Sequence, residues 1–158
     1  MMKSHAFAFL VVLAISTPAQ AETQPSAWSP GSRATADKIS TVLVVAQIAA
    51  ETVANWREPN RWAALRCQGI RTGIVIGAAE LTKRLVHRER PDGSDRYSFF
   101  SEHTGLAAVN AGWRIEFGVP FTIGVGYGRA AADVHYWSDI GAGAVAGWAA
   151  RKACGQAK

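Results

Sequence analysis

Val42, Val45, Ile48, Ala49, Val53 and Trp56 fall three or four residues apart. That spacing puts them on one face of a helix, and no segment sustains the two-residue alternation of a strand. The steps predict a first helix over residues 34–56, broken by "REPN". A second helix is expected over 61–88, with a bend near Gly69 or Gly73. The polar loop "RPDGSDRYS" leads to Ser101, a side chain suited to capping a short third helix. A fourth apolar stretch covers 117–132 and is expected to be interrupted at Pro120. Ser138 is read as the cap of a last helix through "DIGAGAVAGWAARKA". The expected fold is all-α, a compact bundle of about five to six helices, with its site at the ends of the central helices. Gly73 and Gly77, and again Gly143 and Gly147, are spaced to let helices approach closely.

The first 21 residues read as a different kind of segment. Lys3 precedes an apolar run from Ala6 to Ile15, and Ala19-Gln20-Ala21 offers a small-x-small cleavage site. This is the pattern of a secretory signal, too short in its apolar core for a membrane span. Cleavage near Ala21 implies a periplasmic or secreted protein. Residues 22–33, rich in Pro, Ser and Thr, are expected to be a flexible lead-in, and 34–158 one helical domain. The longest charge-free runs beyond Ala21, Ile39–Ala50 and Phe117–Gly128, hold twelve residues each. A span needs about 20 apolar residues, so a soluble bundle is expected, with membrane contact at most peripheral.

The formal net charge is +5, and loss of Lys3 removes one unit. There is no zinc-finger spacing, no run of like charge and no nucleic-acid recognition module. A small anion is the better partner for the excess cations. Cys67 and Cys154 are the only cysteines. In an oxidising compartment they can stay as thiols or form one disulfide, and the sequence leaves both open. Neither they nor the histidines show metal-ligand spacing, so no metal or other cofactor is called for.

Three segments carry the chemistry. "KRLVHRERP" places Lys83 six residues before Arg90-Pro91. "FFSEHTG" holds Ser101, Glu102 and His103. "GRAAADVHYWSD" sets Arg129 five residues before His135, and His135 three before Asp139. Each alone is ordinary: a basic helix end, a lone histidine, a surface ion pair. Their order and spacing resemble the type 2 phosphatidic acid phosphatase superfamily, whose pattern is K-x6-R-P, then P-S-G-H, then S-R-x5-H-x3-D. That superfamily includes bacterial non-specific acid phosphatases, lipid phosphate phosphatases and vanadium haloperoxidases. The resemblance covers Lys83 to about Gly147, just under half of the chain beyond Ala21.

The resemblance implies a metal-independent phosphatase acting on phosphate monoesters or lipid (pyro)phosphates. Lys83, Arg90 and Arg129 would hold the phosphate, with the Ser101 hydroxyl and the backbone at Glu102. His135 would attack phosphorus and form a phosphohistidine. Asp139 would accept from its other ring nitrogen, and His103 would protonate the leaving oxygen. The alternatives are a non-catalytic phosphate or lipid-headgroup binder, and a vanadate-dependent haloperoxidase on the same residues. The oligomeric state is not legible.

Four positions depart from the pattern. Phe100 and Trp137 replace prolines and are read as aromatic pocket walls. Gly128 replaces serine and removes a hydroxyl. Glu102 replaces glycine and brings a carboxylate toward the phosphate, from which it can escape to solvent or to Arg90 or Arg129. Arg84, His87 and Arg88 match no motif position and are read as solvated, and Asp133 as a surface residue. Trp56, Trp62, Trp113 and Trp148 are assigned to core or interface.

Overall fold

The computed structural model describes residues 28–112 and 115–154. Among them are five helices and no strand: α1 (Pro30–Trp56), α2 (Arg61–Val86), α3 (Glu102–Val109), α4 (Ile115–Ala131) and α5 (Trp137–Ala150). The all-α bundle expected from the periodicity is the fold. The expected signal segment, 1–21, lies outside the described residues, as do residues 22–27 and Trp113.

Helix α1 starts four residues earlier than its apolar steps imply. The Ser29 hydroxyl accepts from the Ser32 N–H at 3.3 Å, and Pro30 occupies the first helical position. Proline fits there because its missing N–H would have no partner inside the helix. Residues 30–33 of the expected lead-in are therefore helical. Helix α2 runs without a break past Gly69 and Gly73 and ends at His87, whose φ of 49° is left-handed. Helix α3 is capped by Ser101, as expected. Helix α5 begins one residue before Ser138; the Asp139 carboxylate reaches back to the Tyr136 N–H at 3.1 Å and does the capping.

The short α3 is the hub, touching all four long helices, and Thr104, Gly105, Ala107, Ala108 and Val109 are buried in it. Its approach to α5 needs glycine. A Cβ on Gly143 would lie 2.3 Å from the Ser101 carbonyl oxygen, and one on Gly147 would lie 2.2 Å from that of Gly105. Gly73 and Gly77 face open space instead, so only the second of the two small-residue pairs brings helices together.

Helix α1 is turned the opposite way from the expectation. Its buried stripe is Ser40, Val44, Gln47 and Glu51. Most of the apolar stripe points outward: Val42 is 65% exposed, Val45 61%, Val53 50% and Trp56 52%, while Ile48 alone of it packs half-buried against Val44, Ala107 and Val125. Inside, the Gln47 amide donates to the carbonyls of Ala107 (2.9 Å) and Gly118 (3.1 Å), tying α1 to α3 and α4. Trp62 and Trp148 are exposed as well. Helix α1 is also long and apolar enough to cross a membrane, with mean hydropathy 1.3 over its best 18-residue window and only 22% of that window buried. This removes the length argument for a soluble bundle, because the one acid in its apolar stretch, Glu51, is turned inward.

Cys67 and Cys154 are both free thiols. They are neighbours all the same: the Cys154 thiol donates to the Cys67 carbonyl at 3.6 Å.

Candidate active site

The end of the bundle where α2 and α4 finish and α3 and α5 begin gathers the polar residues. Lys83 comes from the last turn of α2, Arg90 from the loop after it, His103 from the first turn of α3 and Arg129 from the last turn of α4. His135 lies in the turn before α5. Its pKa is pushed down to about 3, first by burial and then by the positive charges of Arg129 and Arg90. His103 is pushed down to about 4 by burial and by Arg129, against the opposing pull of Glu102 and Asp37. These effects require the five groups to share one neighbourhood, although Lys83 and His135 stand 52 residues apart in sequence.

The imidazole of His135 is 3% exposed, and its Nδ1 lies 2.7 Å from the Ser98 carbonyl oxygen. A neutral ring can meet that oxygen only by donating, so the proton sits on Nδ1 and the Nε2 lone pair is left for chemistry. Asp139, expected to play this part, is 4.0 Å from Nδ1. Its carboxylate is committed elsewhere. It accepts from the Ser98 hydroxyl at 2.5 Å, from Arg88 at 2.7 Å and from the Tyr136 N–H. Asp139 thus fixes the segment that orients His135, one step removed from the ring.

Arg88 is accordingly part of the assembly and not a solvated cation. It bonds Asp139 and the Ser138 hydroxyl (2.8 Å), and its guanidinium lies 4.3 Å over the ring of Tyr136. Asp133 is buried, not superficial, and pairs with Arg33 of α1 at 3.3 Å. Ser101 is fully buried. Its hydroxyl is shared with Thr104 (3.0 Å) and its N–H donates to the Asp139 carbonyl (3.0 Å), so it acts as a cap and clamp. Phe100 packs in the core against Val75 and Phe99, while Trp137 lies on the surface near Tyr127. Phe100 is therefore a core residue and not a pocket wall.

Each of the three cations expected to hold phosphate carries a carboxylate of the chain itself. Lys83 donates to Glu102 at 2.7 Å and to Glu80 at 3.1 Å. Arg90 donates to Asp95 at 2.7 Å, and Asp95 is held below the usual carboxylate range by the Tyr97 N–H and by Arg90, which outweigh its burial. Arg129 pairs with Asp37 of α1. Glu102 therefore escapes to the lysine, not to Arg90 or Arg129. Helix α1 also contributes Thr41, whose hydroxyl lies 3.4 Å from His103 Nε2. Gly128 has a packing reason: a Cβ there would lie 2.8 Å from that of Ser40 and 3.1 Å from the Ala36 carbonyl.

A groove of about 550 Å³ runs beside this cluster between α1 and α4, lined by Trp28, Thr35, Ile39, Tyr127 and Gly128. None of the expected site residues lines it. Asp37, Thr41, Arg88 and Ser98 were not picked out from the sequence. Asp37 and Thr41 lie far outside the motif segments, and Ser98 acts on His135 through a backbone carbonyl, which no residue type signals. No family model, curated protein or solved structure matches the chain.

Proposed function

We propose that the chain is a metal-independent phosphatase that cleaves phosphate esters through a phosphohistidine on His135. One observation carries the reading. A buried neutral imidazole presents its Nε2 while its Nδ1 proton is held by a backbone carbonyl, beside Arg90 and Arg129, with Lys83 beside the neighbouring His103.

The chemistry follows from the charges. Phosphoryl transfer loads negative charge on the equatorial oxygens, so catalysis is positioning and electrostatic stabilisation. The two arginines and the lysine release their internal carboxylates to the solvent side and take the phosphate oxygens. His135 Nε2 forms the bond to phosphorus as the bond to the ester oxygen breaks. His103 gives that oxygen a proton, then takes one from the water that attacks the phosphohistidine. Phosphate leaves, His135 is neutral again, and His103 again carries the proton with which the cycle began. The ester's other half can be a soluble alcohol or a lipid; the cluster reads only the phosphate.

A second reading rests on the same ion pairs. With Glu102, Asp95 and Asp37 on its cations, the cluster is close to neutral, which leaves little net positive charge to stabilise a transferring phosphoryl group and suits a protein that binds phosphate groups weakly without turning them over. Release of phosphate from a chromogenic ester by the wild-type chain, and its loss in His135→Ala with folding intact, separates the two. Phosphate binding with no turnover in the wild type would decide for the second.

A further inference from the structure

We infer that the outer faces of α1, α2, α4 and α5 are seated in the hydrocarbon of a lipid bilayer, with the polar cluster at the level of the headgroups. The inference stands on the fold and the surface, not on the phosphatase reading.

The first ground is the inverted polarity of the helices. A helix at the surface of a water-soluble domain turns apolar residues in and polar residues out. Helix α1 buries Ser40, Gln47 and Glu51 and exposes Ile39, Val42 and Val45. Helix α2 buries Gln68 beside Val75 and Ala79 while Ile70, Ile74, Ile76 and Leu81 are outside. Ile123 on α4 is 66% exposed and Val145 on α5 46%. An apolar surface of this extent marks an interaction face. It appears on all four long helices around the central α3, so one flat contact with a second copy leaves much of it wet. A bilayer covers all sides at once.

The second ground is how the band is bounded. Trp28, Tyr127 and Trp137 are exposed at the end that holds the polar cluster. Trp56, Trp62 and Trp148 are exposed at the opposite end, the first two with ring centroids 5.6 Å apart. Amphipathic aromatic rings gather at the two membrane–water interfaces. Along α1, α4 and α5, charge is kept off the surface between the two levels; on α2, Arg71 is largely covered and the exposed Glu80 pairs with Lys83 at the cluster end. From Ile39 to Trp56 the only charged residue is Glu51, buried with Arg71 3.6 Å away, and Phe117–Gly128 and Ile140–Ala150 hold none.

The third ground is charge at the far rim. Arg57, Arg61, Arg66 and Lys152 are exposed there against Glu58 and Glu116, an excess that complements anionic headgroups. At 1.5 Å per residue the band is about 27 Å along α1, from Ile39 to Trp56, and about 18 Å along α5, from Trp137 to Trp148. That is short of the ~30 Å hydrocarbon thickness, a gap closed by local thinning and by long basic side chains reaching outward.

The test uses the full chain reconstituted with phosphatidylcholine–phosphatidylglycerol vesicles. The chain should float with the vesicles and stay through washes in high salt and in alkaline carbonate. Lipids brominated near the head of the acyl chain should quench most of its tryptophan emission, and more of it than lipids brominated near the chain end. Val42→Lys with Val45→Lys should lower the retained fraction severalfold while the helical circular dichroism in detergent is kept. Release by salt alone would overturn the inference, as would a detergent-free oligomer in buffer whose emission bromolipids leave unchanged. The quenching of the wild-type chain decides even if the double variant fails to fold.

Discussion

His135 Nδ1 lies 2.7 Å from the carbonyl oxygen of Ser98 and 4.0 Å from the carboxylate of Asp139. The tautomer of the proposed nucleophile is thus set by backbone, and the acid acts through the segment it holds. Where a carboxylate itself sets the tautomer, its amide replacement lowers kcat by about 10⁴. Asp139→Asn should cost far less here, about 10- to 100-fold, the range for groups that orient a functional residue through another. The ring should keep its Nδ1 proton, which ¹⁵N NMR of the imidazole reports. A fall near 10⁴ with a changed tautomer would return Asp139 to direct contact with the ring.

The carboxylates on the cations set the affinity for anions. Two unit charges ~5 Å apart interact by about 3 kcal/mol at an effective dielectric of ~20, and by under ~1 kcal/mol if water screens them fully. Asp37, with its side chain 48% exposed, belongs nearer the screened limit, and Glu102, at 25%, between the two. Asp37→Asn should tighten vanadate binding a few-fold and Glu102→Gln about tenfold, read by competitive inhibition or calorimetry. Weaker binding in Glu102→Gln would show that Glu102 holds Lys83 in its working position.

Acid should act on stability and activity in opposite directions. The folded pKa values of His135 and His103, about 3 and about 4, lie below the ordinary histidine value near 6.5. Between those limits the unfolded chain binds more protons, so stability present above pH ~6.5 is lost as pH falls toward ~4. Melting temperature should decline across that window, and less steeply in His135→Gln. His103 must be protonated to donate, so kcat/KM should rise on the acid side. A bound dianion favours the imidazolium, which places the limb of kcat at higher pH than that of kcat/KM. A kcat/KM flat from pH 4 to 8 would remove His103 from the proton transfer.

Restoring the serine of the family pattern at position 128 should harm the protein. Its Cβ would press on Ser40 and on the Ala36 carbonyl, and overpacking of this kind costs about 1–3 kcal/mol. Gly143→Ala should cost more, because its neighbour at 2.3 Å is backbone that cannot turn aside. Thermal or denaturant unfolding measures both, and a Gly128→Ser variant as stable as the wild type would place α1 further from α4 than described.

The helices and their order were readable because apolar spacing and caps are local. Ser101 caps α3 where the sequence puts it, and α2 stops at the basic cluster before Arg90-Pro91, whereas α4 runs through Pro120 without the expected interruption. What periodicity cannot give is the side on which the solvent lies. Val42, Val45, Val53 and Trp56 do form one face of α1, and that face points away from the core. The motif spacing likewise marked the residues that meet around His135 but not the groups that hold them. Asp37 meets Arg129 across 92 residues, and Ser98 meets His135 through its backbone. Arg88 looked solvated because its partner, Asp139, was already assigned to the histidine.

The central claim is the covalent step on His135. A reaction with ³²P-labelled phosphate ester, quenched in alkali and digested, tests it most directly. Acid-labile label should appear on the peptide holding His135, rising before free phosphate appears and absent in a folded His135→Ala variant that still binds vanadate. Turnover without label on that peptide, or unchanged turnover in His135→Ala, would contradict it.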